Sequence, residues 1–283
     1  MRQPVIFIGM HRSGTSMIGR LLENLGLFAG TRKDENNEAI FFRQINHWLL
    51  SQSGARWDTP QALQYLSHNE PLLTLQDGYI RQLLDGPRAV LFLGLRRYLV
   101  SGGITRLTIP WGWKDPRNTF TLPMWLRLFP GARVVYIERH GVDVAQSLRV
   151  RSEKIRVYAN RKYKKYRKMI SVHPKQGGFT DSPRCISLEG GFSLWQEYMQ
   201  QAAQVMQQLP GERVLKLRYE QVLEAPVQHL QTSADFCGLN VANQQLQALV
   251  TGVNADRAYS YQNNPELKEF ARQHRSALAE RNY

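Results

Sequence analysis

A strand, a loop and a helix follow one another within the first 26 residues of this 283-residue chain. Residues 5–8 are all apolar, which is typical of a strand buried on both faces of a parallel sheet. Residues 9–16 are rich in glycine and hydroxyl side chains, and apolar residues then recur at helical spacing until Gly26. This order of elements predicts an α/β fold that begins near the N-terminus.

Strand and helix patterns alternate along most of the remaining chain. Residues 133–138 and 213–217 are further clear strand signals, and residues 89–93 and 104–113 are weaker ones. The predicted helices cover residues 39–52, 60–86, 123–128, 142–150, 194–209 and 226–237. Because no repeat or linker divides the chain, we expect one domain over residues 1–283, built on a parallel sheet flanked by helices.

Composition restricts the classes of partner. The net charge is +14, from 37 Lys and Arg against 23 Asp and Glu, which predicts anionic partners such as nucleotides, acidic glycans or a membrane surface. Cys185 and Cys237 belong to no metal-ligand pattern and fit a reducing compartment. The residues before the first strand are too few for a signal peptide, and no apolar run reaches the length of a membrane helix. We therefore expect a cytoplasmic protein without a transmembrane segment.

Residues 149–175 are the most basic part of the chain, with eleven Lys or Arg and a single acidic residue, Glu153. Aromatic and aliphatic residues fall near helical spacing within this segment, which predicts a basic amphipathic helix. A loop with Gly and Pro follows, so the helix and the loop form an insertion at about residues 149–183. Three roles stay open: a solvated face, a lid over a nucleotide, or a surface for an anionic acceptor. We expect no nucleic acid partner, because no base-reading motif is present.

The strongest motif is the loop G-M-H-R-S-G-T-S at residues 9–16. Its two glycines have the spacing of the P-loop pattern GxxxxGK[ST], in which backbone N–H groups and a helix N-terminus hold an anion. Thr15 stands where that pattern has its lysine, and Arg12 supplies the cation instead. A guanidinium suits a tetrahedral oxyanion through two parallel hydrogen bonds. The motif therefore predicts a P-loop-type sheet whose first loop binds a phosphate or a phosphosulfate. The missing lysine argues against chemistry on a metal–ATP complex.

Three later segments, taken with this loop, resemble the sulfotransferase superfamily. Residues 139–147 read Arg-x7-Ser after a strand, residues 113–116 read Trp-Lys-Asp-Pro, and residues 218–220 read Arg-Tyr-Glu after a late strand. The resemblance covers about residues 4–240 and is closest in style to bacterial and tyrosylprotein-type members. The classical cytosolic members differ, since they carry a lysine in the first loop where this chain has Arg12.

The resemblance implies a donor, 3'-phosphoadenosine-5'-phosphosulfate (PAPS), and a product, 3'-phosphoadenosine-5'-phosphate. In the family the first loop holds the 5'-phosphosulfate, the Arg-x7-Ser element holds the 3'-phosphate, and the tyrosine packs near the adenine. The corresponding residues here are Arg12, Ser13, Gly14, Thr15, Ser16, Arg139, Ser147 and Tyr219. Lys114 corresponds to the family lysine that stabilises the transferring group, and we expect in-line transfer with no metal site.

The acceptor is expected to be a hydroxyl or an amine, so a base must remove its proton. A polysaccharide, a glycolipid, a peptide tyrosine and a small natural product stay open as its source, and the basic charge allows a glycan or another anionic substrate. Tyrosylprotein enzymes use a glutamate that follows the first loop, and the candidates here are Glu35 and Glu38. We prefer Glu38, because the apolar residues 39–42 are expected to bury its carboxylate and raise its pKa. Asp115 and Arg117 are expected to form a local ion pair that shapes their turn.

Two other functions stay open from the residues alone. A P-loop small-molecule kinase would account for the loop, although such kinases place a lysine before the Thr or Ser. A non-catalytic nucleotide- or anion-binding module would use the basic segment to dock an acidic partner. The sulfotransferase hypothesis explains more of the motifs, with Arg12, Lys114 and a glutamate at the site of transfer.

Overall fold

The computed structural model describes residues 1–170 and 178–283. These residues form a parallel sheet of four strands, β1 (Val5–Gly9), β2 (Gly112–Lys114), β3 (Arg133–Glu138) and β4 (Val214–Arg218), in the spatial order β2-β1-β3-β4. Val5 pairs with Gly112 on one side and with Arg133 on the other, and Val134 pairs with Val214. The predicted α/β class and the three clear strand predictions are confirmed.

The helices of the described residues follow the strands in alternation. They are α1 (Thr15–Asn24), α2 (Ile40–Ser51), α3 (Leu63–Ser67), α4 (Glu70–Asp85), α5 (Val90–Ser101), α6 (Asn118–Leu128), α7 (Gly141–Ile170), α8 (Leu188–Met206), α9 (Tyr219–Glu224), α10 (Pro226–Cys237), α11 (Asn243–Val250), α12 (Pro265–Gln273) and α13 (Arg275–Ala279). None of these helices combines the length and the apolar character needed to cross a lipid bilayer.

Contacts divide the described residues into two compact units. The first unit, Met1–Arg139 with Tyr198–Ala258, contains the whole sheet together with α1–α6 and α9–α11. The second unit, His140–Glu197 with Tyr259–Tyr283, contains α7, α12 and α13. Helix α8 contributes residues to each unit.

Helices of the first unit cover both faces of the sheet. Alternate residues of β1 and β3 point to one face, where they form an apolar cluster with α1 and α10. On the opposite face, Tyr136 Oη donates to Met199 Sδ of α8 at 2.8 Å. Beside β1, the Phe42 ring of α2 stacks on the Trp113 ring of β2, with centroids 3.9 Å apart. Burial on both faces explains why β1 is apolar along its whole length.

Three boundary predictions are wrong. Residues 89–93 belong to a 3-10 turn and to α5, because a short apolar run does not distinguish a buried strand from a buried helical turn. In the predicted strand at 104–113, only the last two residues join β2, which extends to Lys114. The predicted helix at 142–150 continues to residue 170, since residues 142–170 contain no Gly or Pro to end it. Residues 171–177, which include the end of the predicted basic segment, lie outside the described residues.

Candidate active site

The glycine-rich loop lies between β1 and α1, at the carboxyl end of a central strand. Ser13 is fully buried, and its Oγ donates to the carbonyl of Met10 at 2.7 Å. Thr15 is buried as well. Arg12 is exposed and has a φ of 70°, in the left-handed region. The two buried hydroxyl residues therefore lie within the loop, while its cation lies at the surface.

Arg139 leaves the end of β3 and contacts this loop. Its Nη1 donates to the carbonyl of Arg12 at 3.3 Å, and its Nη2 donates to the carbonyl of Arg257 at 3.1 Å. Its guanidinium lies over the ring of Tyr219, 4.7 Å from the centroid. The Tyr219 ring in turn packs against Gly14. Four predicted donor-binding residues are thus close together in the first unit.

Glu38 and Lys114 form a buried ion pair. Each residue is 4% exposed, and Lys114 Nζ lies 3.3 Å from Glu38 Oε1. Glu38 precedes α2, and its backbone N–H donates to Asp34 Oδ1 at 2.9 Å. Lys114 ends β2, next to β1. The sequence predicted burial of Glu38, and that prediction is confirmed.

One backbone carbonyl connects this ion pair to the glycine-rich loop. The oxygen of Asn36 accepts from Lys114 Nζ at 2.6 Å and from Ser16 Oγ at 2.8 Å. Asn36 was not among the predicted site residues. It acts through its backbone carbonyl, which every residue has, so the residue type gives no indication of the contact. It places the loop hydroxyl, the ammonium and the carboxylate of Glu38 in one hydrogen-bonded chain.

Burial shifts the pKa of both partners of the ion pair. The pKa of Glu38 is raised, first by desolvation and then by the nearby carboxylate of Asp115. The pKa of Lys114 is lowered by desolvation, which its acidic neighbours only partly offset. The two pKa values therefore move toward each other.

Arg117 holds two carboxylates in place. Its Nη1 lies 2.9 Å from Asp115 Oδ1, which confirms the predicted local ion pair, and 3.2 Å from Glu38 Oε2. The second contact was not predicted from the sequence. Glu38 therefore has a cation at each oxygen, Lys114 on one and Arg117 on the other, and its carboxylate is fixed in orientation.

Asn46 is a second residue that the sequence reasoning missed. It is completely buried in α2, and its Nδ2 donates to Asp115 Oδ2 at 2.9 Å and to Asn118 Oδ1 at 2.7 Å. Its Oδ1 accepts from Thr121 Oγ1 and Trp125 Nε1, both at 2.8 Å. A signal did exist, because Asn46 falls on the apolar stripe of its helix, where a polar side chain must find partners.

Two further predicted residues, Glu35 and Ser147, have other local surroundings. Glu35 is exposed in a turn. Ser147 lies on α7, in the second unit, and is half-buried. Among residues 1–170 and 178–283, no group of His, Cys, Asp and Glu side chains has the arrangement of a metal site.

Solved structures share this fold. A sulfotransferase domain from the curacin biosynthetic pathway has 15% identity and a TM-score of 0.53, with 96% of this chain and 97% of that chain covered. A sulfotransferase from Mycobacterium tuberculosis H37Rv has 15% identity and a TM-score of 0.50, with 89% and 71% covered. A sulfotransferase from Alicyclobacillus acidocaldarius has 14% identity and a TM-score of 0.50, with 98% and 93% covered.

The comparison with protein families agrees with these likenesses in fold. No curated protein matches the chain. The sequence model described as "Sulfotransferase family" matches residues 4–243, which is most of the chain. The match includes the glycine-rich loop, Glu38, Lys114, Arg139 and Tyr219. This chain belongs to the sulfotransferase family.

Proposed function

We propose that the chain transfers a sulfuryl group from PAPS to a hydroxyl or amine, with Glu38 as the base and Lys114 as the cation at the leaving oxygen. The observation that carries this proposal is the hydrogen-bonded chain from Ser16 through the Asn36 carbonyl to Lys114 and Glu38. It connects an anion-binding loop to a buried acid–base pair. A loop that only bound nucleotides would have no use for such a pair.

The residues around the loop fit the phosphate groups of the donor. Gly14 and the N-terminus of α1 offer backbone N–H groups, and the guanidinium groups of Arg12 and Arg139 supply positive charge. Tyr219 is buried between Gly14 and Arg139, where its ring supports both residues. The assignment of Ser147 to the 3'-phosphate rests on the family resemblance alone.

Glu38 and Lys114 have different roles in the proposed transfer, as the base and as the stabilising cation. When bound, the donor supplies the sulfuryl group and a phosphate leaving group. Glu38 accepts the proton of the acceptor as the acceptor oxygen or nitrogen bonds to sulfur and the bond from sulfur to the 5'-phosphate oxygen breaks. Lys114 stabilises the negative charge that develops on that phosphate oxygen. Arg117 keeps the carboxylate oriented, so the Glu38 oxygens do not turn away from the acceptor.

The compartment and the acceptor follow from weaker observations. Cys185 and Cys237 are both buried thiols, which supports a reducing, cytoplasmic setting. The charge of +14 supports an anionic acceptor, such as an acidic glycan that bears the hydroxyl.

The first test is calorimetric titration with adenosine 3',5'-bisphosphate in the absence of metal, followed by ATP with Mg²⁺. We expect tight binding of the bisphosphate and much weaker binding of ATP. A preference for ATP with Mg²⁺ would replace this proposal with a kinase.

The second test is turnover of labelled PAPS against a panel of hydroxyl and amine acceptors. We expect Arg12→Ala to lose bisphosphate binding, because Arg12 is the cation of the loop. Binding of the bisphosphate without turnover of PAPS on any acceptor would indicate a nucleotide-binding module. Full activity of Arg12→Ala would remove the loop from the mechanism.

A further inference from the structure

The end of α5 exposes large aliphatic side chains. The helix is interrupted at Gly94, where φ is 74° and ψ is 159°, and the residues that follow turn outward. Leu95 is 64% exposed, Leu99 74% and Val100 89%. An aliphatic side chain exposed to this extent projects from the surface, so it gains nothing from the fold of its own unit. We call this surface, Leu95, Arg96, Arg97, Leu99 and Val100, the α5 tip.

The charge of the surrounding segment has one sign. Residues 86–113 contain four arginines and no Lys, Asp or Glu. Arg96 and Arg97 are exposed among the aliphatic side chains, and the Arg97 guanidinium lies 4.3 Å from the centroid of the Phe28 ring. Arg106 Nη1 lies against Gly102, at the end of the same helix. Aliphatic and cationic groups therefore share one projecting surface.

We propose that the α5 tip docks the protein on an anionic lipid surface. Leu99 and Val100 would enter the boundary between headgroups and acyl chains, and the arginines would contact lipid phosphates. Arginine suits this position, because its stem lies along apolar surface while its guanidinium stays at the level of the headgroups. The α5 tip takes no part in the proposed sulfuryl transfer, so this proposal stands or fails independently of it.

Other occupants fit the α5 tip less well. A second copy of this chain, paired about a two-fold axis, would bring Arg96 and Arg97 against their own equivalents, and the α5 tip contains no Asp or Glu to pair with them. Glycans and nucleic acids offer phosphate, sulfate or carboxylate groups but no partner for three aliphatic side chains. An acidic protein partner remains as an alternative that the experiment distinguishes.

The test measures co-sedimentation of the full chain with vesicles of phosphatidylcholine, alone or mixed with phosphatidylglycerol. We expect binding to the mixed vesicles only, and partitioning at least about tenfold weaker for the double variant Leu99→Glu/Val100→Glu. Leu72→Glu/Leu75→Glu is the matched control, because it adds the same two charges at exposed leucines of α4, 46% and 70% exposed. It should bind as the unaltered chain does. Equal binding to both vesicle types, or unchanged binding of the double variant, would overturn the proposal.

The basic part of α7 is a competing source of binding to anionic vesicles. Lys164→Glu/Lys165→Glu reverses two exposed charges there. If this variant abolishes vesicle binding while Leu99→Glu/Val100→Glu does not, the α5 tip is not the docking surface. We expect Leu99→Glu/Val100→Glu to weaken vesicle binding more than Lys164→Glu/Lys165→Glu does.

A fluorescent probe at the α5 tip tests insertion directly. Because the two native cysteines are buried, an environment-sensitive dye can be attached at Val100→Cys, with Leu75→Cys as the matched position. The dye at position 100 should shift to the blue with mixed vesicles, and the dye at position 75 should not. No shift at position 100, or a shift with soluble polyglutamate in place of vesicles, would overturn the proposal; the second result would indicate an acidic protein partner.

Discussion

Gly14 faces the ring of Tyr219 so closely that a Cβ atom on Gly14 would lie 2.2 Å from Tyr219 Cδ2. The φ of Gly14 is +93°, which side-chain-bearing residues rarely adopt. Glycine is therefore required at position 14 for two reasons: its positive φ and the lack of space beside the Tyr219 ring. The same ring lies beneath the Arg139 guanidinium. A substitution at Gly14 that displaces Tyr219 is therefore expected to displace Arg139, the second cation of the proposed donor site.

Gly14→Ala should weaken binding of adenosine 3',5'-bisphosphate at least about tenfold, because the new methyl group displaces Tyr219 and with it Arg139. Calorimetry measures the change. Gly26→Ala is the matched control: its φ is +107°, and a Cβ atom on Gly26 would have no neighbour within 4 Å. The control shares the backbone strain of about 1 kcal/mol without the clash, so its affinity should be unchanged. Equal affinities for the two variants would contradict the role of the Tyr219 contact.

Glu38→Gln should lower kcat by about 10²–10⁴-fold, because the amide keeps the shape of the side chain but cannot accept the proton. Steady-state kinetics with PAPS measure this change. Affinity for adenosine 3',5'-bisphosphate should be nearly unchanged, since Glu38 contacts Lys114 and Arg117 but has no predicted role at a phosphate. Glu35→Gln, at an exposed position, should behave as the unaltered enzyme. The opposite pattern would transfer the base assignment to Glu35.

The rate should depend on pH as a narrow bell. Glu38 must be ionised to accept a proton, and its raised pKa shifts the acidic limb to higher pH than an ordinary glutamate would give. Lys114 must be protonated, and its lowered pKa shifts the alkaline limb to lower pH. Profiles of kcat/KM against pH, which report the groups of the free enzyme, measure both limbs. Lys114→Arg should move the alkaline limb upward, because a guanidinium keeps its proton; an unmoved limb would exclude Lys114 as its source.

Both thiols should resist modification in the folded protein. Burial raises the pKa of the Cys237 thiol to about 12, so almost no reactive thiolate is present near neutral pH. Cys185 is completely buried. Titration with a thiol-specific chromogenic reagent should detect no reaction in buffer and two thiols in denaturant. Rapid reaction of one thiol in buffer would show that its surroundings open readily.

The sequence was most informative where one short segment includes both the secondary-structure elements and the candidate site residues. The strand, the glycine-rich loop and the helix of residues 5–24 are all local, so their order could be predicted. The burial of Glu38 could be predicted as well, because apolar residues follow it directly in the sequence. The family resemblance added Lys114, Arg139 and Tyr219, which lie far from the loop in sequence.

Contacts between distant segments could not be predicted in this way. The Asn36 carbonyl, in a turn, accepts from Lys114 of β2, and Arg117 reaches Glu38 across a similarly long separation in sequence. Such pairs depend on the register of β2 against β1, and β2 has only three residues. The segment at residues 89–93 was misassigned because its apolar residues satisfy a helix and a strand equally.

Asn46→Ala should destabilise the fold by about 3 kcal/mol or more, because it leaves several buried polar groups without their partners at once. The side chain makes four hydrogen bonds, to Asp115, Asn118, Thr121 and Trp125. Thermal and urea unfolding measure the loss, and His47→Ala, the exposed next residue of α2, is the control. Because Asp115 also anchors Arg117, the residual activity of Asn46→Ala should fall in kcat at temperatures where the variant is still folded. A variant as stable and as active as the control would mean that this network neither holds α2 in place nor orients Glu38.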